Sequence, residues 1–459
     1  MNKKTDYLII GNSAAGLAAA ESIRKIDRNS KIDIFSSESH FNYSKPLITY
    51  YLMGRLGIDK LYFRDKDFYS SNNISLNLNS EVVGINSGKQ SITTSVGDEV
   101  EFYKLLIASG GKPIIPDIKI IDEEKVKAAD KQQTGFNILE KNLEKVLPEI
   151  SGIFTLTTLD DAISLKKYIE NNKIDSASIL GGGLIGLKAT EALLELGIKI
   201  NIIELADKIL SASFDDTASE IITRKIEESK GRIFTNSTIE EIYVNKRKIT
   251  AFKLRNSKKI PCNLLVIAIG IIPNIEVIKD THIRTENGIV VDEGMKTSVD
   301  NIYAAGDVIR SYDRLANKFK NIAIWPLAVR QGNVAGINMS GGKTLYIGGF
   351  FMNSIEILNI PVISIGLSSL GESSAADIKI YREYDPDKSL YRKVIIKNDR
   401  MIGAILVGGI ERAGIYAGLI SNEIDISDIK GNIAKEDFGI IQLPADYRKH
   451  LVIGDGIEV

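Results

Sequence analysis

The sequence predicts an α/β chain built twice on one plan, followed by a smaller α+β domain. Three observations carry this expectation. A short apolar run, a glycine turn and an alanine-rich helix open the chain, and the same pattern returns later with Gly181 in the place of Gly11. From about Thr344 onward the glycine turns stop, and the chain reads as short strands with one helix. The length of 459 residues allows about three domains at ~150 residues each.

Asp6 to Ile10 is apolar, is bounded by polar residues and runs into Gly11. Such a run suits a strand buried on both faces of a parallel sheet. Ala14 to Lys25 reads as a helix and Lys31 to Phe35 as the next strand, which completes a βαβ unit. The second unit has a strand over Ser176 to Leu180 and a turn at Gly181, Gly182 and Gly183. Its helix, Leu184 to Leu196, ends at Gly197, and its second strand is Ile198 to Ile203. Asp117 to Ile150 has another texture. It is dense in charge of both signs, and Leu139, Leu143, Val146 and Leu147 fall at helical spacing. A solvated insertion carrying an amphipathic helix is expected there, with a docking element for a partner as the alternative. In the last part, Pro361 to Ile365, Ile378 to Tyr381 and Tyr391 to Lys397 read as strands and Ala413 to Ser421 as a helix.

Composition narrows the function. Lysine plus arginine is 58 and aspartate plus glutamate 59, a balance that gives no general attraction to nucleic acid or acidic membranes. The single cysteine, Cys262, excludes an internal disulfide and a cysteine-held iron–sulfur cluster within the chain. Three histidines, His40, His282 and His450, lack ligand spacing, so no metal site is expected. No apolar run reaches the length of a membrane span, the N-terminus does not read as a signal peptide, and a cytoplasmic protein is expected.

Two segments have the spacing of a phosphate-binding turn. In Gly11-Asn12-Ser13-Ala14-Ala15-Gly16 the first glycine permits the tight turn and the last permits close packing of helix on strand. The middle position, Ser13, is small and lets the backbone approach a pyrophosphate held by the helix N-terminus. Glu38, just beyond the second strand, is assigned to the ribose. The second segment, Gly181 to Gly186, has glycine at all three places, with Leu184 and Ile185 opening the helix. Glu204 stands at the end of the strand that follows. A carboxylate there accepts ribose hydroxyls and repels a 2′-phosphate, which favours NADH over NADPH. A third feature, the apolar strand ending in Gly306-Asp307, suits a ribitol hydroxyl. Two dinucleotide folds in one chain imply two dinucleotides, and a flavin with a nicotinamide is the productive pair.

In this order and spacing, the segments resemble the FAD-dependent pyridine nucleotide–disulfide oxidoreductase family over nearly the whole chain. Tyr103 to Gly110, with Ala108, Ser109 and Gly110 at its end, resembles the second FAD segment, and Val82 is assigned to FAD with it. Ala268 to Asn274, with Gly270, resembles the segment closing the NAD domain. Trp325 to Ala328, with Gln331 and Gly332, resembles the helix whose N-terminus faces the flavin pyrimidine ring. The resemblance implies two Rossmann-like dinucleotide-binding domains and a C-terminal α+β interface domain. The implied boundaries are 1–116 and 281–343 for the FAD domain, 117–150 for the charged connector, 151–280 for the NAD domain and 344–459 for the interface domain. A homodimer is compatible with that last domain.

Within the family, Phe41 to Leu47 decides the chemistry. Thiol-dependent members carry a redox cysteine where this chain has Pro46. The Tyr43-x-Lys45-Pro46-Leu47 pattern is similar instead to rubredoxin reductases, ferredoxin reductases and the flavin part of nitrite reductases, which places Lys45 near the flavin. The implied function is hydride exchange with NADH through FAD, then electron transfer with a separate iron–sulfur protein. A peroxide-forming NADH oxidase and a flavin-binding structural subunit are the alternatives. One position departs from the pattern: many relatives have a glutamate where this chain has Lys188. Lys188 either faces the flavin side together with Lys45 or points elsewhere.

Overall fold

The computed structural model describes residues 3–124, 143–255, 259–371, 377–444 and Arg448. The chain forms two compact units of three segments each. Residues 1–114, 155–172 and 270–349 make the first, and 115–154, 173–269 and 350–459 the second. Among the described residues, five helices have twelve or more residues: α1 (Ala14–Ile26), α2 (Leu159–Asn171), α3 (Leu184–Glu195), α4 (Asp216–Glu228) and α5 (Trp325–Met339). None is long and apolar enough to cross a membrane.

The first unit is built on β1 (Lys3–Ile10), β2 (Ile32–Phe35), β3 (Ile74–Asn77), β4 (Val82–Asn86), β5 (Ser91–Thr94) and β6 (Glu99–Ile107). They run in the order β3-β2-β1-β6-β5-β4, and Ile302–Ala304 joins parallel to β6. β1 and β6 lie side by side in parallel register, with Leu8, Ile9, Leu105, Leu106 and Ile107 fully buried. Burial on both faces is why these strands read as unbroken apolar runs. α1 lies against α5 through small residues. A Cβ on Gly332 would lie 2.2 Å from Ala15 O, and one on Gly336 would lie 2.3 Å from Ala19 O. Only a bare backbone allows that approach.

α2 also belongs to the first unit, although the sequence boundaries set it beside the second fingerprint. Its first amide, Leu159 N, donates to the Tyr43 hydroxyl at 3.0 Å, and Lys166 Nζ donates to Tyr51 O at 3.2 Å. These contacts outweigh its place in the sequence.

In the second unit, Arg232–Phe234, Lys199–Ile203, Ser176–Leu180 and Leu265–Ile267 pair in parallel in that order. A second, mixed sheet has the order Lys259–Pro261, Lys248–Leu254, Ile239–Asn245 and Lys119–Asp122. Its last strand comes from the charged segment expected as a solvated insertion. Ile118, Ile120, Leu143, Val146 and Ile150 are buried in the core beneath that sheet, so the described ends of 117–150 are structural. Leu139 lies outside the described residues. Leu143 and Val146 share a helical turn of four residues, and the charges conceal the apolar face.

The C-terminal part of this unit is a five-stranded antiparallel sheet over Met352–Ile357, Ile360–Gly366, Arg400–Val407, Leu390–Lys397 and Ile378–Asp385, with α6 (Ala413–Ser421) packed on it. The sheet is tied to the start of α4. Asp215 caps α4 through Ala218 N at 3.2 Å, and its other oxygen accepts from the Tyr391 hydroxyl at 2.7 Å and lies 3.2 Å from Lys393 Nζ.

Candidate functional site

In the first unit, the residues of the first fingerprint meet at the N-terminus of α1. Gly11 has φ +112°, and a Cβ on it would lie 2.2 Å from Ala108 O. A Cβ on Gly16 would lie 2.0 Å from Gly11 O. Both glycines are therefore steric requirements. Ala14 and Ala15 are buried, whereas Ser13 is half-exposed and serves as N-cap without using its side chain.

The helix ends differ in a chemically useful way. α2 is closed by a capping box between Thr158 and Asp161, and α4 by Asp215. α1, α3 and α5 have neither a side-chain cap nor an acidic residue in the first turn. Their first amides and positive dipole ends are left for an anion or an electron-rich ring.

The segment Tyr103 to Gly110 ends beside the start of α1. Ala108 N donates to Ile10 O at 2.8 Å. Ser109 Oγ donates to Asn274 O at 2.8 Å, and Gly110, at φ +71°, has open space where a Cβ would stand. Gly306, at φ +86°, faces Ala15 and Ala328, and its amide donates to the side-chain oxygen of Gln331 at 2.9 Å. Gln331 is 1% exposed, so the turn carrying Asp307 is anchored to α5 from within the core. The helix periodicity gave no sign of that role. Asp307 is half-exposed. Burial raises its carboxyl above the ordinary range, and the charge of Lys45 opposes that rise. Trp325 opens α5 and meets the Phe63 ring edge-on, with centroids 5.1 Å apart. Val82 is buried at the start of β4, opposite Thr94.

Lys45 and Pro46 form a short 3-10 turn. Lys45 Nζ is 4.0 Å from Glu38, whose other oxygen accepts from the Tyr43 hydroxyl at 2.5 Å. Burial and the neighbouring carboxylate raise the Tyr43 phenol, which stays protonated and donates. Glu38 thus sits with Tyr43 and Lys45. No acid stands at the end of β2 itself, where Ser36 Oγ accepts from Glu38 N at 3.2 Å.

In the second unit, Gly181 has φ +112° and Gly186 packs on its carbonyl, where a Cβ would be 2.0 Å away. Gly183 faces open space, and Leu184 and Ile185 are half-exposed in the first turn of α3. Glu204 points back at the loop, accepting from Gly182 N at 2.6 Å and Ala206 N at 2.8 Å. Gly270 does not group with these residues. It starts the third segment of the first unit, where its carbonyl accepts from Ile114 N at 3.0 Å.

Lys188, the position that departs from the family pattern, is tied within its own unit. Its ammonium pairs with Glu191 one turn along α3 and donates to Glu356 O at 3.2 Å. Glu191 also accepts from Leu358 N at 2.9 Å. The pair is nearly buried, at 14% and 5% exposure, and fastens the hairpin turn after Met352–Ile357 onto α3. Cys262 is buried in the second unit's core, and burial pushes its thiol up to about 11. Such a thiol carries little thiolate at neutral pH.

The residues present fit two dinucleotides. The amide nitrogen of Asn12 is buried without a partner at the uncapped end of α1, and Gly183 leaves an open cradle at the uncapped end of α3. Comparison with known proteins agrees. Residues 5–332 match the pyridine nucleotide-disulphide oxidoreductase family, and residues 352–424 match the rubredoxin NAD+ reductase C-terminal domain. The chain is 27% identical over 441 residues to the epsilon subunit of NADH-dependent phenylglyoxylate dehydrogenase from Aromatoleum evansii, covering 95% of this chain and 96% of that one. It is 26% identical to the NADH-rubredoxin oxidoreductase of Clostridium acetobutylicum, covering 95% and 98%. The structure of an NAD-dependent persulfide reductase from A. fulgidus shares its fold, with TM-score 0.80 at 24% identity over 93% of this chain and 78% of that one. The chain belongs to the pyridine nucleotide-disulphide oxidoreductase family, and it is an oxidoreductase that uses FAD and NADH.

Proposed function

We propose that this protein passes electrons between NADH and a separate iron–sulfur protein through FAD, with no thiol in the route. Bound FAD supplies the exchange between a two-electron donor and one-electron carriers. The chain's residues bind and orient. Gly11, Ser13 to Gly16 and the end of α1 hold the FAD pyrophosphate, and Ala108 to Gly110, Val82, Gly306 and Asp307 border the rest of FAD. Trp325, Ala328 and the uncapped end of α5 face the flavin ring, where Lys45 and that helix end favour negative charge. Glu38 and Pro46 complete that side. In the second unit Gly181, Gly183 to Gly186 and Glu204 hold NADH, and Gly270, which lies in the first unit, is left out of that set. Hydride exchange between NADH and FAD needs no acid or base from the chain, so the residues of each unit bind and orient their own nucleotide.

One observation carries this reading: the chain's one thiol, Cys262, is buried in the core of the second unit, and the resemblance puts Pro46 where thiol-dependent members carry their cysteine. The test is an anaerobic NADH titration followed at the oxidised-flavin band near ~450 nm, then addition of oxidised rubredoxin or ferredoxin. Bleaching at about one NADH per flavin and reoxidation by the iron protein are expected. A bound flavin that NADH does not bleach overturns the reading. The epsilon-subunit relative supports a second reading, in which the chain serves as the NADH-facing subunit of a larger complex. Flavin that bleaches but passes electrons only to a co-purifying partner favours it.

A further inference from the structure

The loop that follows Glu204 holds a leucine in a conformation that leucines rarely take. Leu210 has φ +57° and is 3% exposed. A residue with a side chain keeps that left-handed backbone only where its surroundings over-determine it, and such positions gather at functional sites. Here hydrogen bonds hold it from both sides. Leu210 N donates to Gly182 O at 2.9 Å, and Leu210 O accepts from Ser213 N and Phe214 N, both at 3.0 Å. Gly182 is thereby fixed from two directions, since its own amide donates to Glu204 at 2.6 Å. The far end of the loop is held by the C-terminal part of the same unit. Ser368 Oγ donates to Ser213 O at 2.7 Å, and the Tyr391 hydroxyl donates to Asp215 at 2.7 Å. Lys393, 1% exposed, joins the two ties. Its ammonium donates to Ser368 O at 3.1 Å and Leu370 O at 2.9 Å, and it lies 3.2 Å from Asp215. Residue by residue, the bonds run from the C-terminal sheet through Ser213 and Leu210 to the glycine turn and the carboxylate of Glu204.

We propose that Ser368 and Tyr391 are positioning residues for NADH, which hold the loop 205–215 in the shape that sets the glycine turn and Glu204. The proposal rests on reading Gly181 to Gly186 and Glu204 as the NADH site. Neither residue touches the nucleotide; each acts through the loop. Lys393 makes the two ties one unit, because its ammonium bonds the backbone of Ser368 and faces the carboxylate that Tyr391 holds. The C-terminal sheet thereby acts on nucleotide affinity as well as packing against α4.

The test is steady-state NADH oxidation by the full-length flavoprotein with ferricyanide as acceptor, together with inhibition by ADP-ribose, which has the adenosine and pyrophosphate of NADH and no nicotinamide. Ser368→Ala is expected to raise KM for NADH and Ki for ADP-ribose together, about fivefold, with kcat within about twofold and flavin content unchanged. Tyr391→Phe removes only the hydroxyl. It is expected to raise both constants about threefold, and it gives the answer where Ser368→Ala does not fold. Folded variants with wild-type Ki, or losses confined to kcat, Tm and flavin content, overturn the proposal while leaving the NADH site standing. Glu204→Ala with wild-type Ki for ADP-ribose overturns the reading beneath it.

Discussion

Replacing Glu204 by alanine is expected to shift the preference from NADH toward NADPH, by an amount that follows from its hydrogen bonds and charge. The carboxylate is half-exposed, and its two oxygens are each held by one backbone amide, Gly182 N and Ala206 N. Each oxygen keeps a lone pair for a ribose hydroxyl. A hydrogen bond to a charged acceptor contributes about 1.5–3 kcal/mol, so its loss costs NADH about 10–100-fold in kcat/KM. For NADPH the balance runs the other way. A phosphate carrying nearly two charges about 5 Å from the carboxylate, at an effective dielectric of ~20–80, is repelled by about 2–6 kcal/mol. Exposure and salt favour the lower figure. Removing that repulsion raises kcat/KM for NADPH about 10–30-fold. The assay is steady-state reduction of ferricyanide with each nucleotide at fixed ionic strength. An unchanged NADH-to-NADPH ratio refutes the reasoning, even if both rates fall, because an equal loss reports only on the loop that Glu204 supports.

Three further outcomes are expected. Gly332→Ala drives a methyl into Ala15 O at 2.2 Å, so the seam between α1 and α5 must open. The variant is expected to melt several degrees lower and to lose FAD on gel filtration, and a fully loaded variant of unchanged Tm argues against the seam's importance. Asp307 has a folded pKa above its unfolded one, so its ionised form destabilises the apoprotein above the unfolded pKa, and the penalty vanishes below it. Asp307→Asn should therefore raise the apoprotein Tm at pH 7 and not near pH 3, while weakening FAD; a lower Tm at pH 7 would contradict the sign. Cys262→Ala should leave NADH-dependent flavin reduction within about twofold, since the thiol is buried and little ionised. Loss of electron transfer in that variant would reinstate a thiol route.

The sequence made the backbone of the site legible. Gly11, Gly16, Gly181 and Gly186 are dictated by contacts of 2.0–2.4 Å that no side chain survives, so spacing alone reveals them. What it concealed depends on contacts between distant segments. Gln331 reads as one more residue of a helix, yet it holds Gly306 N from inside the core. Ser368 and Tyr391 are both remote from the loop after Glu204 along the chain, and neither sits in a motif that announces a tie to it. Lys188 was readable as a departure, and Glu191 lies one turn along its helix, but the tie of both to the hairpin at Glu356 and Leu358 was not, because that hairpin lies far along the chain. The segment at 117–150 misled because charge dominates its composition while a few isoleucines and leucines decide its burial.

The three-segment construction of each unit has a consequence for how the protein is made. The strand Ile302–Ala304 lies beside β6 and α5 lies along α1, so the first unit's sheet and its paired helices wait for residues made long after β1. A ribosome that has released the first fingerprint has therefore not yet made a complete flavin site. By the time α5 appears, the segment 115–154 has emerged and belongs to the other unit. Synthesis cannot finish one half before starting the next. Nascent chains must leave β6 without Ile302–Ala304 and α1 without α5 until those residues emerge, which makes this interval the one in which chaperones and early FAD capture matter most.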